Sequence, residues 1–366
     1  MRTIDQADLQ GKRVLCRIDC DIPFNGQAIV DDNRLRAAIP SIDFILQAHP
    51  ARLVLISHRG RPQGLDPQLT LEPVADYLAK HYGSHTVERL PGQFANQLDL
   101  FKITEALYLT ENVRFIAGEN DNDPGFVSAL AKEGDIVIFD AFADAHRDHA
   151  STSGLANTLP SYAGLHLTRE LQSLDLLRGQ AQHPLIFIIG GSKIEDKLPV
   201  IENLANQADR FLIGGVVANT LLKASGMDIK QSLTQDQFLE EGKQILSKYS
   251  DKIVLPTDHV WDGEAIMDIG PRTIMEFEDV LADAKTVFWN GNLGKTEDLR
   301  WSKGSLVIAD ILSRSPEMNR IVAGGDTVGF LSVHHLVDSM TFVSTGGGAT
   351  LEYLAGKELP ALAALE

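Results

Sequence analysis

The chain has 366 residues, 44% of them apolar and 23% charged, and a formal net charge of -17. That length exceeds one ordinary hydrophobic core and implies two domains. The acidic balance argues against nucleic-acid and membrane-surface binding, although local basic clusters can still hold a small anion.

No signal-peptide pattern and no apolar run of bilayer length is present, so a cytoplasmic protein is expected. The first apolar run, RVLCRIDCDIPF, holds both cysteines, Cys16 and Cys20. In a strand, four residues separate their Cα atoms by roughly 13 Å, beyond disulfide reach. They read as reduced core thiols. With no further cysteine, this pair alone does not make a zinc site.

Ten apolar runs then read as strands: VLCRID, RLVLISH, EALYLTEN, DIVIFDAF, LIFIIGG, RFLIGG, KIVLP, TVFWNG, RIVAGG and TFVSTGG. Between most of them lie helix-length segments, among them LRAAIPSIDFILQA, LEPVADYLAKHY, FLEEGKQILSKY and SLVIADILSRS. Continuous β-branched runs alternating with helices imply parallel sheets covered on both faces. Right-handed crossovers place the carboxyl ends of all strands of a sheet on one edge. Ten strands fit two sheets better than one. The expected division is a first domain at 1–160, a connecting helix at 161–183, a second domain at 184–345 and a final segment at 346–366 that packs back toward the first.

Open parallel sheets bind ligands beyond the carboxyl ends of their strands. In the first half these positions hold Asp19 and Asp21, then His58, Arg59 and Arg61, then Arg114, then His146, Arg147 and His149, with Arg17 and Arg34 close in sequence. In the second half they are glycine-rich: GGSK, GGVVA, WNGNLG, AGGDT and STGGGA. Guanidinium forks suit carboxylate and phosphate oxygens. Glycines let backbone amides approach phosphates, and helix N-termini behind them add partial positive charge. A small anion on one domain and a nucleotide phosphate chain on the other would support phosphoryl transfer by positioning and charge neutralisation.

Each motif also has a plainer reading. Lys193 and Lys197 face one way if GGSK leads into a helix, but Lys193 could instead pair with Glu195 or Asp196 on a solvated turn. His58, Arg59 and Arg61 could be a solvated turn before Pro62. Asp326 and Thr327 could cap a helix or hold Mg²⁺. Gly346, Gly347 and Gly348 could be packing glycines or an anion site. His146 and His149 resemble a metal pair without an evident third ligand. GNLGKT is not a P-loop, because Trp289 stands where that motif needs glycine. No G-x-G-x-x-G fingerprint supports a dinucleotide-dependent dehydrogenase.

RIDCDIPF, DDNRLRAAIPSI, LISHRGRP, LTENVRF, DAFADAHRDHAST, IIGGSKIEDKLPVIENL, LIGGVVANTLLKASG, LPTD, MDIGPRTI, AKTVFWNGNLG, GGDTVGF and STGGGATLEYLAGKELP follow one another in the order of a known family. Over nearly its whole length the chain resembles phosphoglycerate kinases. The resemblance implies an α/β fold of two doubly wound, Rossmann-like parallel-sheet domains joined by a hinge helix. It implies a monomer that moves a phosphoryl group between 1,3-bisphosphoglycerate and Mg-ADP, giving 3-phosphoglycerate and ATP, in glycolysis and gluconeogenesis. Mg²⁺ would be the cofactor and ATP/ADP the co-substrate, with no nucleic-acid or membrane partner.

Carried over by motif, the substrate patch falls on Arg17, Asp19, Asp21, Arg34, His58, Arg61, Arg114 and Arg147. The nucleotide side falls on Gly191, Ser192, Lys193, Lys197, Gly214, Gly215, Asn290, Glu297, Gly324, Gly325, Asp326 and Thr327. The resemblance gives Arg34, Lys193, Gly325 and Gly348 catalytic roles, with Lys193 the transfer lysine and Lys197 a phosphate-binding lysine. It puts Mg²⁺ on Asp326, the ribose near Glu297, and the amides of Gly346, Gly347 and Gly348 on the phosphoryl group in flight.

The chain departs from the family pattern at several places. Asp19-Cys20-Asp21 stands for D-x-N, Ala143-Asp144 for Gly-Thr, and WNGNLGKTE for WNGPMGVFE, and the segment between LPTD and MDIGP is short. These departures leave a second expectation open, a weakened or non-catalytic paralogue that binds nucleotide or a partner.

Overall fold

The computed structural model describes residues 1–365. The chain divides into two compact units, one formed by Met1–Leu171 with the chain from Glu358 onward, the other by Gln172–Lys357. The boundary falls inside a helix, Leu165–Asp175.

The first unit contains β1 (Arg13–Arg17), β2 (Phe24–Asn25), β3 (Ala28–Ile29), β4 (Arg52–Ile56), β5 (Glu88–Phe94), β6 (Leu98–Lys102), β7 (Leu107–Thr110), β8 (Ile136–Phe139) and β9 (Ser161–Ala163). Its main sheet has the order β5-β6-β7-β4-β1-β8-β9, and β2 and β3 form a separate small hairpin. β7, β4, β1, β8 and β9 run parallel. Every residue of β8 is buried, as helices on both faces require. Val14 and Cys16 face one apolar cluster, whereas Leu15 faces the other, following the two-residue alternation of a strand.

The second unit contains β10 (Leu185–Ile189), β11 (Arg210–Ile213), β12 (Ile253–Val254), β13 (His259–Asp262), β14 (Ala265–Ile269), β15 (Thr286–Asn290), β16 (Asn319–Ala323) and β17 (Phe342–Ser344). Its main sheet has the order β12-β11-β10-β15-β16-β17 and is parallel throughout. β10 and β15 are buried at every position.

All ten strands read from the sequence exist, and the fold is the expected α/β type. Three details differ. The first sheet is not wholly parallel, because β5 and β6 extend its edge in antiparallel sense. ERLPGQF carries a proline and a glycine and is mostly exposed, so it lacks the apolar run of a central strand, while an edge strand tolerates both residues. Second, residues 161–163 add a strand rather than starting the connecting helix, which spans Leu165–Asp175 and ends in a π-turn at Leu176–Gln180. Third, β13 and β14 form an antiparallel hairpin with Gly263 at positive φ in its turn. At the C-terminal end, Pro360–Ala363 is a short helix, and Ala361 donates its amide to the Ala145 carbonyl at 3.1 Å within the first unit.

Candidate active site

In each sheet the strand order reverses at one place, and a crevice opens there beyond the carboxyl ends. In the first unit that place lies between β1 and β8. Arg17 ends β1, and the next turn is locked by Ser57, whose hydroxyl donates to the Ile18 carbonyl at 2.8 Å and accepts the Cys20 amide at 2.9 Å. Arg17 is almost fully buried, and its fork is committed to the protein. Nε donates to Ser151 Oγ at 3.1 Å, Nη1 to the Ile18 carbonyl, and Nη2 meets Asp144 Oδ2 at 2.9 Å and His58 Nδ1 at 3.0 Å.

Asp144 sits at the centre of this group. Its carboxylate lies 3.5 Å from His58 Nδ1 and 3.9 Å from Arg114 Nη2 as well as against Arg17. Burial works to raise Asp144, but the guanidinium groups of Arg17 and Arg114 hold it below the usual carboxylate range. Burial lowers His58 to about 4, so the imidazole is neutral at pH 7 and the anion rests on the two arginines. Burial also lowers the Arg114 guanidinium, whose Nη1 donates to the Gly60 carbonyl at 2.8 Å.

Arg34 reaches the same edge from the helix Asn33–Gln47. Nη1 lies 2.8 Å from Asp19 Oδ2 and donates to the Asp21 carbonyl at 3.0 Å. Burial pushes Asp19 up to about 6 against the pull of Arg34. Asp21 is more open, and its Oδ1 accepts the Gly60 amide at 2.8 Å. Arg61 is exposed, and Arg147 is half-buried on the turn whose amide donates to the Asp144 carbonyl at 2.9 Å. Arg59 goes elsewhere, stacked over the Phe24 ring at 3.5 Å.

In the second unit the order reverses between β10 and β15. The Gly190 amide donates to the Asn290 carbonyl at 2.9 Å and the Gly191 amide to the Asn292 carbonyl at 2.8 Å, so the two glycine-rich turns touch backbone to backbone. A Cβ on Gly190 would lie 2.3 Å from the Asn292 carbonyl oxygen, and one on Gly214 would lie 2.4 Å from the Leu293 side chain. Beside these turns is a cavity of ≈ 420 Å³, a volume within the usual range for small-molecule sites. Gly191, Ser192, Gly215, Asn292, Glu297 and Asp326 line it. Asn290 and Thr327 are buried braces: Asn290 Nδ2 donates to the Ala323 carbonyl at 2.9 Å, and Thr327 Oγ1 accepts the Gly291 amide at 2.8 Å. Gly324 adopts positive φ before the helix Gly325–Val333, which carries Asp326 in its first turn. Gly348 is exposed at the start of the helix Gly348–Leu354, and Gly346 donates its amide to Ser344 Oγ at 3.2 Å.

Lys193 and Lys197 do not share one α-helical face. Lys193 precedes a 3₁₀ turn, Ile194–Asp196, and Lys197 precedes the helix Leu198–Leu204, which has Pro199 in its first turn. Proline fits there because its missing amide would have had no helical partner. Lys193 is exposed and, among the described residues, makes no ion pair; Glu195 instead accepts from Gln235 Nε2 at 2.8 Å. Lys197 is buried, which lowers its ammonium pKa; Asp196 opposes this, Lys193 adds to it, and Asp326 opposes it. Lys193 and Asp326 therefore both sit within electrostatic reach of Lys197.

Sequence reasoning missed part of both sites. Asp144 reads in the sequence as an extra acid near the ligand, whereas the fold makes it a buried counterion. The floor of the cavity includes Met267, Asp268 and His259 from the β13–β14 hairpin. The available signal was the Asp262-Gly263 turn between two short apolar runs. Asp268 is buried and pushed up to about 6 by that burial, with its carboxylate accepting the amides of Ile269 and Gly304 at 2.9 and 2.8 Å. Among the described residues no cluster of three or more His, Cys, Asp or Glu is placed to hold a metal, so His146 and His149 do not form such a centre.

An arginine-rich sheet edge in one unit and a glycine-rich cavity in the other are the arrangement expected of a two-substrate phosphoryl-transfer enzyme. Comparison with known proteins agrees: the family described as phosphoglycerate kinase matches residues 4–357. The chain belongs to the phosphoglycerate kinase family. It is 38% identical over 386 aligned residues to the phosphoglycerate kinase of Rubrobacter xylanophilus, covering 100% of this chain and 98% of that protein. It is 40% identical over 393 to that of Deinococcus radiodurans, covering 100% and 94%. Among solved structures, the phosphoglycerate kinase from Coxiella burnetii superposes with a TM-score of 0.86 at 33% identity, over 99% of this chain and 98% of that one. The enzyme from Pyrococcus horikoshii OT3 gives 0.84 at 28% identity, over 100% and 98%. Membership of the phosphoglycerate kinase family covers both units and both crevices.

Proposed function

We propose that the chain catalyses reversible phosphoryl transfer between 1,3-bisphosphoglycerate and ADP, giving 3-phosphoglycerate and ATP. The observation that carries this reading is the pairing of two switch-point sites of opposite design. Arg34, Arg61, Arg114, Arg147 and His58, on the frame of Arg17, Asp19 and Asp21, would take the glycerate substrate. Arginine forks there match its carboxylate and phosphate oxygens. Gly191, Ser192, Gly214, Gly215 and Glu297 would take the nucleotide, with Asn290, Gly324 and Thr327 shaping the turns around it.

The chemistry asks little covalent work of the protein. The transferred group passes between two oxygens in line while its charge is spread over three others, so positioning and fixed positive charge supply most of the rate. Lys193, free of ion pairs, would follow the moving phosphoryl group, with Lys197 holding the phosphate chain. Arg34 would steady the acceptor carboxylate, and the amides of Gly325 and Gly348 would face the transferred oxygens. Asp326 fits Mg²⁺: it is an exposed carboxylate on the cavity wall, and magnesium usually takes one or two carboxylates together with substrate phosphates. When bound, the ion neutralises phosphate charge. The buried, unpaired Cys16 and Cys20 suit a reducing compartment, in line with a cytoplasmic enzyme, which we take to be monomeric.

The test is a coupled assay with 3-phosphoglycerate and Mg-ATP that follows ADP formation. Turnover dependent on both substrates is expected. Binding of nucleotide without 3-phosphoglycerate-dependent turnover would refute the assignment.

A further inference from the structure

We propose that Asp144 is a positioning residue for the glycerate substrate, acting through Arg17 and Arg114 rather than by touching the ligand. The inference rests on the assignment of the first unit's cations to that substrate. Asp144 is one of the positions at which this chain departs from its family's pattern.

The argument begins with the charges around it. Arg17 and Arg114 are both buried at one sheet edge, 1% and 8% exposed. Two desolvated guanidinium groups side by side repel each other and need a counterion. His58 is neutral there, and Arg147 adds a further positive group near Arg114. Asp19 is engaged with Arg34, 2.8 Å away, and Asp21 faces His58 Nε2 at 3.8 Å and the Gly60 amide. Glu119 reaches Arg17 only through Ser151, whose hydroxyl donates to Glu119 Oε1 at 2.6 Å. Asp144 is therefore the carboxylate in direct contact with Arg17, at 2.9 Å, and it also approaches Arg114.

Geometry adds a second reason. Nη2 of Arg17 is shared between Asp144 and His58, and Nε is fixed by Ser151. These contacts hold the guanidinium plane from two sides and leave the imidazole with a set orientation. The main chain of Asp144 extends the same control, since its carbonyl accepts the Arg147 amide at 2.9 Å. One residue thus links cations from the end of β1, from the turn after β7 and from the turn after β8. Arg114 and His58, set in place through this frame before the ligand arrives, lose less freedom on binding.

The experiment is a double-mutant cycle with Asp144→Asn and Arg17→Gln, reading KM for 3-phosphoglycerate, KM for Mg-ATP, turnover and thermal midpoint. Asp144→Asn should raise KM for 3-phosphoglycerate about ten-fold, the scale of one charge-assisted hydrogen bond, with KM for Mg-ATP unchanged. The double variant should fall well short of the combined effects of the two single variants, because Asp144 acts in part through Arg17. If Asp144→Asn does not fold, Arg17→Lys reads the same link, since it keeps the charge but cannot reach Asp144 and Ser151 together; the same rise is expected. An unchanged or lower KM in Asp144→Asn, additive effects in the cycle, or an unchanged KM in Arg17→Lys would overturn the inference. If Arg17→Gln and Arg34→Ala both left 3-phosphoglycerate binding intact, the substrate assignment itself would fail.

Discussion

Asp140 Oδ1 accepts the backbone amide of Leu167 at 2.8 Å, so the carboxyl that follows β8 caps the first turn of the helix Leu165–Asp175. The side chain is almost fully buried, and burial pushes it up to about 7 even though bonds from Ser41 and from the Leu167 and His166 amides favour the anion. The folded protein therefore holds a proton on Asp140 that the unfolded chain releases near pH 4. Stability falls as the pH rises from about 4 through 7 and levels off above, because ionising the buried carboxyl costs up to roughly 4 kcal/mol. Asp140→Asn keeps an acceptor for Leu167 and removes the ionisation. Its thermal midpoint should drop less than the wild type's between pH 5 and pH 8. Parallel pH curves for the two proteins would contradict this assignment.

Glycine positions separate into two classes that substitution can distinguish. Gly215 has φ +60, and a Cβ there would lie 2.7 Å from the Gly191 amide nitrogen and 2.9 Å from the Asn292 carbonyl oxygen. Gly215→Ala should lower stability by about 2–3 kcal/mol through strain and overpacking, with a lower thermal midpoint. Gly325 and Gly348 lack positive φ, and a Cβ on either would meet nothing within 4 Å. Alanine at these two should leave the midpoint unchanged or slightly higher, since a helix gains by losing glycine. Turnover should nonetheless fall about ten-fold or more, because the added methyl would occupy space meant for phosphate oxygens. Full activity in both variants would remove them from the anion site.

Asp21 offers a test of charge alone. Its Oδ1 accepts the Gly60 amide at 2.8 Å, a bond that asparagine can keep, so Asp21→Asn changes the charge with little change in shape. A carboxylate about 4 Å from an anionic ligand repels it by roughly 4 kcal/mol at an effective dielectric of 20. Solvent and salt reduce this to about 1 kcal/mol at a part-exposed site. The variant should bind 3-phosphoglycerate about five-fold more tightly by calorimetry, with the gain shrinking in high salt. Weaker binding would show that Asp21 serves the site through something other than its charge.

The strands that carry both sites were legible because parallel β-strands buried on two faces must be continuously apolar, as β8, β10 and β15 are. The residues that follow them were legible too, since the crevice lies where each strand ends. β5 and β6 were not, because an edge pair with Pro91 and Gly92 has no such run. Spacing alone left open whether Lys193 and Lys197 share a helical face; they do not, because the chain forms a 3₁₀ turn first. Arg17 and Asp144 lie 127 residues apart, and no local pattern could show that they form one ion pair. That contact exists only because β1 and β8 are neighbours in the sheet.

Lys193 and Lys197 should respond differently to removal. Lys193 is exposed and unpaired, so Lys193→Ala should leave the thermal midpoint within about 0.5 kcal/mol of wild-type stability. Its absence at the moment of transfer should lower kcat by about 10²–10³, the scale of a lost charge stabiliser, with a smaller change in KM for Mg-ATP. Lys197 is buried, 7% exposed, so its stem packs against the fold. Lys197→Ala should reduce both stability and nucleotide affinity, with the midpoint shifting down as KM for Mg-ATP rises. Lys197→Met keeps the apolar stem and should restore most of the stability without the affinity. Wild-type turnover in Lys193→Ala would show that this exposed lysine is not the one that follows the phosphoryl group.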